Sequence, residues 1–228
     1  MIEVHHLNNS RSQRVLWMLE ELGVEYTIVR YERDARTMNA PPELKKVHPL
    51  GKSPVIRDGN FVLAESGAII EYLAEKYGGG RFRPQPGTQQ YETCRYWLHY
   101  AEGSLMMQLL VKLYLGRVGE PAQALVERVN GAVRMHLAYI EESIGSSQFF
   151  TGSALTIADV QMSFPLEVSV AQGMLGDAHP RLRALLVRLH ERPAYQAAWR
   201  RAGRTRTQSS RAVGRASARQ SVPVEDSG

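Results

Sequence analysis

For its first 80 residues the chain alternates between two hydrophobic periodicities, and from Gln89 onward it keeps only one. Ile2–Leu7 and Tyr26–Tyr31 (YTIVRY) are short β-prone runs that read as strands. Between them, Ser12–Leu22 sets Val15, Leu16, Leu19 and Leu22 on one helical face, with Gly23 where a C′ glycine belongs. Residues 42–47 are compatible with a short helix. Residues 54–57 and Phe61–Ala64 flank Asp58-Gly59-Asn60, and Asp-Gly between β-prone runs is a strong hairpin signal. Ser66–Tyr77 then spaces Ile69, Ile70, Leu73 and Tyr77 as a helix before Gly78-Gly79-Gly80. The order β-α-β-α-β-β-α predicts a mixed sheet, with a βαβ unit followed by a hairpin and a helix. Residues 78–88, with three glycines, Pro84 and Pro86, read as a linker. From Gln89 to about Ala202 the pattern is helical, with breaks near 116–121, 145–152, 173–180 and Pro193. Thr156-Ile157-Ala158-Asp159 has the form of a capping box, flanked by Leu155 and Val160 as a hydrophobic staple. The expected class is α/β plus all-α, with domains over 1–80 and 89–202 and a tail over 203–228.

Charge narrows the function. The net charge of +5 invites a nucleic-acid reading. Yet seven of the 28 basic residues and two of the 23 acidic ones lie from Arg200 onward, so that stretch carries the whole excess. The body is neutral and lacks the basic footprint that nucleic-acid binding requires. The Arg-, Ser- and Gln-rich tail is poor in apolar residues and reads as disordered or loosely attached. No run approaches the roughly 18 apolar residues that a membrane span needs. Cys94 stands alone, so neither a disulfide framework nor a CxxC pair is available, and the N-terminal residues do not read as a secretory signal. The expected compartment is the cytosol.

Three clusters in the first domain carry chemistry. Asn8-Asn9-Ser10-Arg11-Ser12 is a polar loop between the first strand and the first helix. A thiolate or other anion placed there would meet unpaired N–H groups and the positive end of the helix dipole. Ser10 with Gln13 also forms a capping-box pair, which would make Ser10 only the start of the helix. The second cluster is His48-Pro49-Leu50-Gly51-Lys52-Ser53-Pro54-Val55. A proline opening a strand forfeits a ladder donor, so the residues fit either an edge strand with a trans proline or a cis Ser53-Pro54 turn. The turn could present the Val55 backbone to a peptide-like ligand. In the third cluster, Glu65-Ser66-Gly67, Ser66 fits an N-cap. The same place would suit a zwitterion, with its carboxylate on the helix N-terminus and its ammonium on Glu65.

Taken together, residues 48–78 (HPLGKSPVIRDGNFVLAESGAIIEYLAEKYG) and 8–23 (NNSRSQRVLWMLEELG) resemble the glutathione transferase family, and closest the bacterial and fungal serine-type branch. The resemblance runs from Ile2 to about Trp199. It implies a thioredoxin-like N-terminal domain, a helical-bundle C-terminal domain and a homodimer. It further implies that glutathione is a co-substrate, with no metal and no other cofactor, and that its thiol attacks a small apolar electrophile in a detoxification reaction. A glutathione-dependent peroxidase side activity fits the same chemistry. Lys52 would contact the glycyl end, Val55 would pair with the cysteinyl backbone, and Glu65 and Ser66 would hold the γ-glutamyl end. Counting back from Arg14, which resembles the arginine of serine-type members, points to Ser10 as the thiol activator, with Asn9 one register away and Arg11 adjacent. A non-catalytic glutathione-binding regulatory protein would share all these features except turnover. A nucleic-acid or membrane-surface binder acting through the tail is the weaker rival.

Outside these clusters, Cys94 reads as buried and inert. Tyr96, Tyr100, Met106, Met107, Leu110 and Tyr114 read as core or subunit packing, or in part as the lining of an apolar pocket. His5 and His6 read as structural or solvated.

Overall fold

The computed structural model describes residues 1–203. The tail beyond Gly203 lies outside the described residues.

Four strands form one mixed sheet: β1 (Ile2–Leu7), β2 (Tyr26–Tyr31), β3 (Val55–Asp58) and β4 (Phe61–Ala64). Their order is β2-β1-β3-β4. β1 runs parallel to β2, in register from Ile2↔Tyr26 to Leu7↔Tyr31, and antiparallel to β3, from Ile2↔Asp58 to His5↔Val55. The parallel pair needs a crossover, which α1 (Ser12–Leu22) supplies, ending at Gly23 with φ 69°. β3 and β4 form the expected hairpin, closed on Asp58↔Phe61. Gly59, the first loop residue, takes φ 60°, which a side chain would resist. The segment between β2 and β3 is not an α-helix but a short 3₁₀ turn, Pro42–Lys46. α2 (Ser66–Tyr77) lies against α1 and the hairpin. Asp58 ties the hairpin to α2 by accepting from Tyr72 at 2.8 Å, Tyr77 at 2.5 Å and Lys76 at 2.7 Å. The lysine and the two hydroxyls hold its carboxyl down to about 2.

α3 (Gln89–Tyr100) opens the helical domain and runs through a π-helical turn, residues 101–106, into α4 (Met107–Val118). α5 (Gln123–Ile144), α6 (Ile157–Ala171), α7 (Pro180–His190) and α8 (Pro193–Arg201) follow. The Thr156–Asp159 capping box forms as expected, and both Leu155 and Val160 are buried. α1 is buried on almost every side because the sheet covers one face and α6 and α8 cover the other. Trp17 meets Tyr195 edge-on at 5.2 Å, and Glu21 takes a forked pair from Arg192 at 2.5 and 2.8 Å. Among the described residues no helix is long and apolar enough to cross a membrane.

Candidate functional site

The loop between β1 and α1 is shaped by one arginine. Arg33, just after β2, donates from its backbone to Asn8 Oδ1 at 3.0 Å and from its guanidinium to the carbonyls of Asn8, Asn9 and Met38. Asn9, at φ 51°, stays exposed, whereas Ser10 is buried at 6% exposure. The Ser10 hydroxyl lies 2.7 Å from Ser12 Oγ, accepts the Ser12 N–H at 3.3 Å and approaches Ser53 Oγ at 3.4 Å. Ser10 is not the cap residue of α1. Arg11 occupies the cap position without a side-chain bond, and the Gln13 amide instead donates to Glu167 of α6. Ser10 still holds one helix-end donor, the Ser12 N–H, while its shortest contact is to Ser12 Oγ.

Ser53 joins this loop to the second cluster. The Ser53-Pro54 bond is cis, which overturns the trans edge-strand alternative. The Ser53 hydroxyl donates to the His5 carbonyl at 2.8 Å and accepts the Leu7 N–H at 3.2 Å, so the turn is clamped to the end of β1. Lys52 is exposed beside it. Val55 is fully buried and stands in register with both His5 and Ala64. With a strand on either side, the backbone at Val55 has no open edge.

Glu65 leads into α2 at φ 70°, ψ 114°, a conformation that non-glycine residues rarely hold. Glu65 is the cap residue and Ser66 the first residue of the helix, which corrects the expectation that Ser66 is the N-cap. The buried Ser66 hydroxyl is instead approached by Gln161 Nε2 at 3.4 Å and Arg14 Nη1 at 3.5 Å. Arg14 is wholly buried and pairs with Glu102 of the π-helical turn, which also accepts from Arg11 Nε at 2.9 Å. Burial lowers the Arg14 guanidinium against the pull of Glu102. Burial alone would raise the Glu102 carboxyl, but Arg14 and then Arg11 outweigh it and hold it below its ordinary range.

Sequence reasoning missed Glu102 and Gln161, and it placed Ser53 in the turn without a role for its hydroxyl. Arg14 carried a signal, since a cation among Val15, Leu16 and Met18 on a buried helix demands a partner. Glu102 carried none, because its aim depends on an irregular turn. Of the residues expected to act together, Ser10 touches the turn ahead of Val55 through Ser53, and Ser66 reaches α1 through Arg14. Lys52 and Glu65 are exposed. A cavity of about 10 Å³, room for one water at most, lies behind Ser10 between His6, Gln13, Trp17, Tyr195 and Trp199. It is far too small for a peptide.

Cys94 is buried, and burial raises its thiol. Tyr100 and Met106 belong to the core, whereas Tyr96, Met107 and Tyr114 are exposed on the helical domain. His5 and His6 are buried, not solvated. No three His, Cys, Asp or Glu side chains among the described residues are grouped to hold a metal.

Comparison with known proteins accords with this geometry. Residues 1–75 match the family model "Glutathione S-transferase, N-terminal domain", and residues 103–193 match "Glutathione S-transferase, C-terminal domain". Glutathione S-transferase 3 of Schizosaccharomyces pombe is 35% identical over 209 residues, covering 85% of each chain. Glutathione S-transferase 1 of Saccharomyces cerevisiae is 34% identical, covering 74% of this chain and 81% of its own. The crystal structure of a glutathione S-transferase from Actinobacillus pleuropneumoniae superposes with a TM-score of 0.81 at 34% identity, over 89% of this chain and 93% of that one. Matched in both halves and across most of the length of these relatives, the chain belongs to the glutathione S-transferase family.

Proposed function

We propose that this protein binds glutathione across residues 52–66 and stabilises its thiolate at Ser10 for attack on a small, apolar electrophile. The observation that carries the reading is the contact between Ser10 Oγ and Ser53 Oγ at 3.4 Å. It sets the start of α1 against the cis-proline turn, so a ligand whose backbone lies along that turn brings its sulfur to the serine. Lys52 then faces the glycyl carboxylate. Glu65 and Ser66 take the γ-glutamyl ammonium and carboxylate at the N-terminus of α2. The cysteinyl backbone, expected at Val55, pairs more naturally with Ser53, because Val55 already has strands on both flanks.

A free thiol titrates near ~8.5, so only a few per cent of it is nucleophilic at neutral pH. Lowering it by ~2 units takes ~2.7 kcal/mol of preference for the anion. A serine O–H and the N–H groups at the start of α1 are groups of the right kind to supply it. The hydroxyl acts as a hydrogen-bond donor and not as a base, and glutathione is a co-substrate. A cytosolic homodimer with a detoxifying role, and turnover of hydroperoxides beside aryl halides and isothiocyanates, complete the proposal.

The test is the ultraviolet absorbance of bound thiolate, titrated against pH, beside kinetics on those three electrophile classes. Ser10→Ala should raise the thiol pKa and lower kcat about 10- to 100-fold while glutathione affinity stays within about twofold. Equal thiolate yield in Ser10→Ala and wild type, with the loss appearing in Asn9→Ala instead, would transfer the role to Asn9.

A further inference from the structure

Behind Ser10 runs a line of buried hydrogen-bonding groups that thiol activation alone does not explain. Ser10 Oγ is 2.7 Å from Ser12 Oγ, and Ser12 Oγ is 2.7 Å from His6 Nδ1. The three residues are 6%, 0% and 4% exposed. His6 sits near the end of β1 and shares the α1-facing side of the sheet with Ile2 and Val4, so strand, loop and helix all converge on this line.

Ser12 also reaches the Leu7 carbonyl and Ser10 reaches Ser53 Oγ, each at 3.4 Å, but along the two short contacts counting protons leaves two arrangements. Each hydroxyl has one proton to donate. The Ser53 proton is spent on the His5 carbonyl, so toward Ser10 its oxygen can only accept. In the first arrangement Ser10 donates to Ser12 and Ser12 donates to a bare His6 Nδ1. The Ser10 proton is then consumed inside the protein, and nothing is left for a sulfur. In the second, His6 Nδ1–H donates to Ser12, Ser12 donates to Ser10, and the Ser10 oxygen also accepts the Ser12 N–H at 3.3 Å. The Ser10 proton is then released from Ser12 and has only the long 3.4 Å contact to Ser53 Oγ to hold it, so a sulfur at the site can take it. The second arrangement also strengthens it, because a hydroxyl that accepts hydrogen bonds becomes a better donor.

We infer that His6 and Ser12 are positioning residues for the reaction: an imidazole carrying its proton on Nδ1 turns the Ser10 hydroxyl, through Ser12, toward the glutathione thiolate. This rests on the reading of Ser10 as thiol activator. An arriving thiolate selects the second arrangement, since only that one gives it a donor. Two hydrogen bonds reverse as the hydroxyls turn, and an imidazole that starts with a bare Nδ1 exchanges its Nε2 proton for one on Nδ1.

The test is the pKa of the bound thiol, read by ultraviolet titration in wild type, Ser10→Ala, Ser12→Ala, His6→Leu, His6→Asn and the Ser10→Ala/Ser12→Ala double variant. Ser12→Ala and His6→Leu should each raise that pKa by about half a unit to one unit. The rate constant kcat should fall by the matching factor of about three to ten, with KM for glutathione within about twofold. His6→Asn, whose amide nitrogen can occupy the place of Nδ1, should keep most of the wild-type behaviour. Ser12→Ala should add nothing in the Ser10→Ala background, because a relay acts only through its end. The inference is overturned if Ser12→Ala and His6→Leu leave the thiol unmoved while Ser10→Ala shifts it, or if the Ser12 effect persists in full without Ser10. If Ser10→Ala itself shifts nothing, the thiol-activation reading fails and the relay fails with it. Ser12→Ala removes a single oxygen, so the test survives even if His6→Leu does not fold.

Discussion

Glu65 holds its backbone at φ 70°, ψ 114°, where a side chain meets steric resistance that glycine does not. Strain of this kind persists where the surroundings over-determine it, and here it turns an exposed carboxylate out beside the first N–H groups of α2. Replacing Glu65 by glycine separates the two effects. Glu65→Gly should stabilise the fold by about 1 kcal/mol in denaturant unfolding while weakening glutathione about tenfold or more by calorimetry. Unchanged affinity would remove Glu65 from the site. At this scale the sequence was informative about which residues are polar and adjacent, and much less so about where they point. Ser10 and Ser66 both carry cap-like patterns, yet Ser66 is not the cap of α2 and Ser10 holds only the Ser12 N–H of α1. Ser12 captures one hydroxyl, and Arg14 and Gln161 surround the other, through contacts between segments far apart in the chain.

Among the elements, α6 is anchored by the most completely buried carboxylate. Asp159 Oδ1 accepts from Phe150 N at 2.8 Å, and Oδ2 accepts from Thr156 N at 2.8 Å and Thr156 Oγ1 at 3.0 Å. Asp159→Asn keeps one acceptor oxygen and turns an NH₂ toward donors, so it should cost about 2–3 kcal/mol in unfolding experiments. Burial pushes the Asp159 carboxyl up to about 6, against those hydrogen bonds. A folded-state pKa above the unfolded one means that the native protein gains a proton, and with it stability, as pH falls through 6 toward 4. The non-titrating variant lacks that gain, so the stability gap should widen between pH 7.5 and 5; a gap that narrows would reverse the sign. This capping box was legible because it is local, four residues long and specific. Strand and helix periods were legible for the same reason. A short helix near 42–47 was legible too, but neither its 3₁₀ winding nor the π-helical turn at 101–106 was, since four to six residues display no such periodicity.

For the molecule as a whole, the joint between sheet and helices is what the sequence conceals. It is built from charges of opposite sign about 90 residues apart: Arg11 at the cap of α1 and Arg14 within it, and Glu102 on the π-helical turn. Glu102→Gln leaves the buried Arg14 without its counter-charge. The expected loss is about 2–3 kcal/mol, below that of a fully enclosed pair because the Glu102 side chain is one-third exposed. It should appear as a lower and broader denaturation midpoint, whereas an unchanged, sharp transition would show that packing alone joins the two parts. At the opposite end of α1, the closing helix does similar work. Arg192 grips Glu21, Tyr195 covers Trp17, and Arg201 bonds Glu20 and lies over Tyr26 at 3.8 Å. The order of synthesis gives this a temporal meaning. When the ribosome has released the sheet and its first helix, the segment that shelters the outer flank of that helix has still to be made. A nascent chain therefore carries a naked Trp17 until residues 193–201 emerge, and a message truncated before them yields a protein whose earliest part is left without its lid.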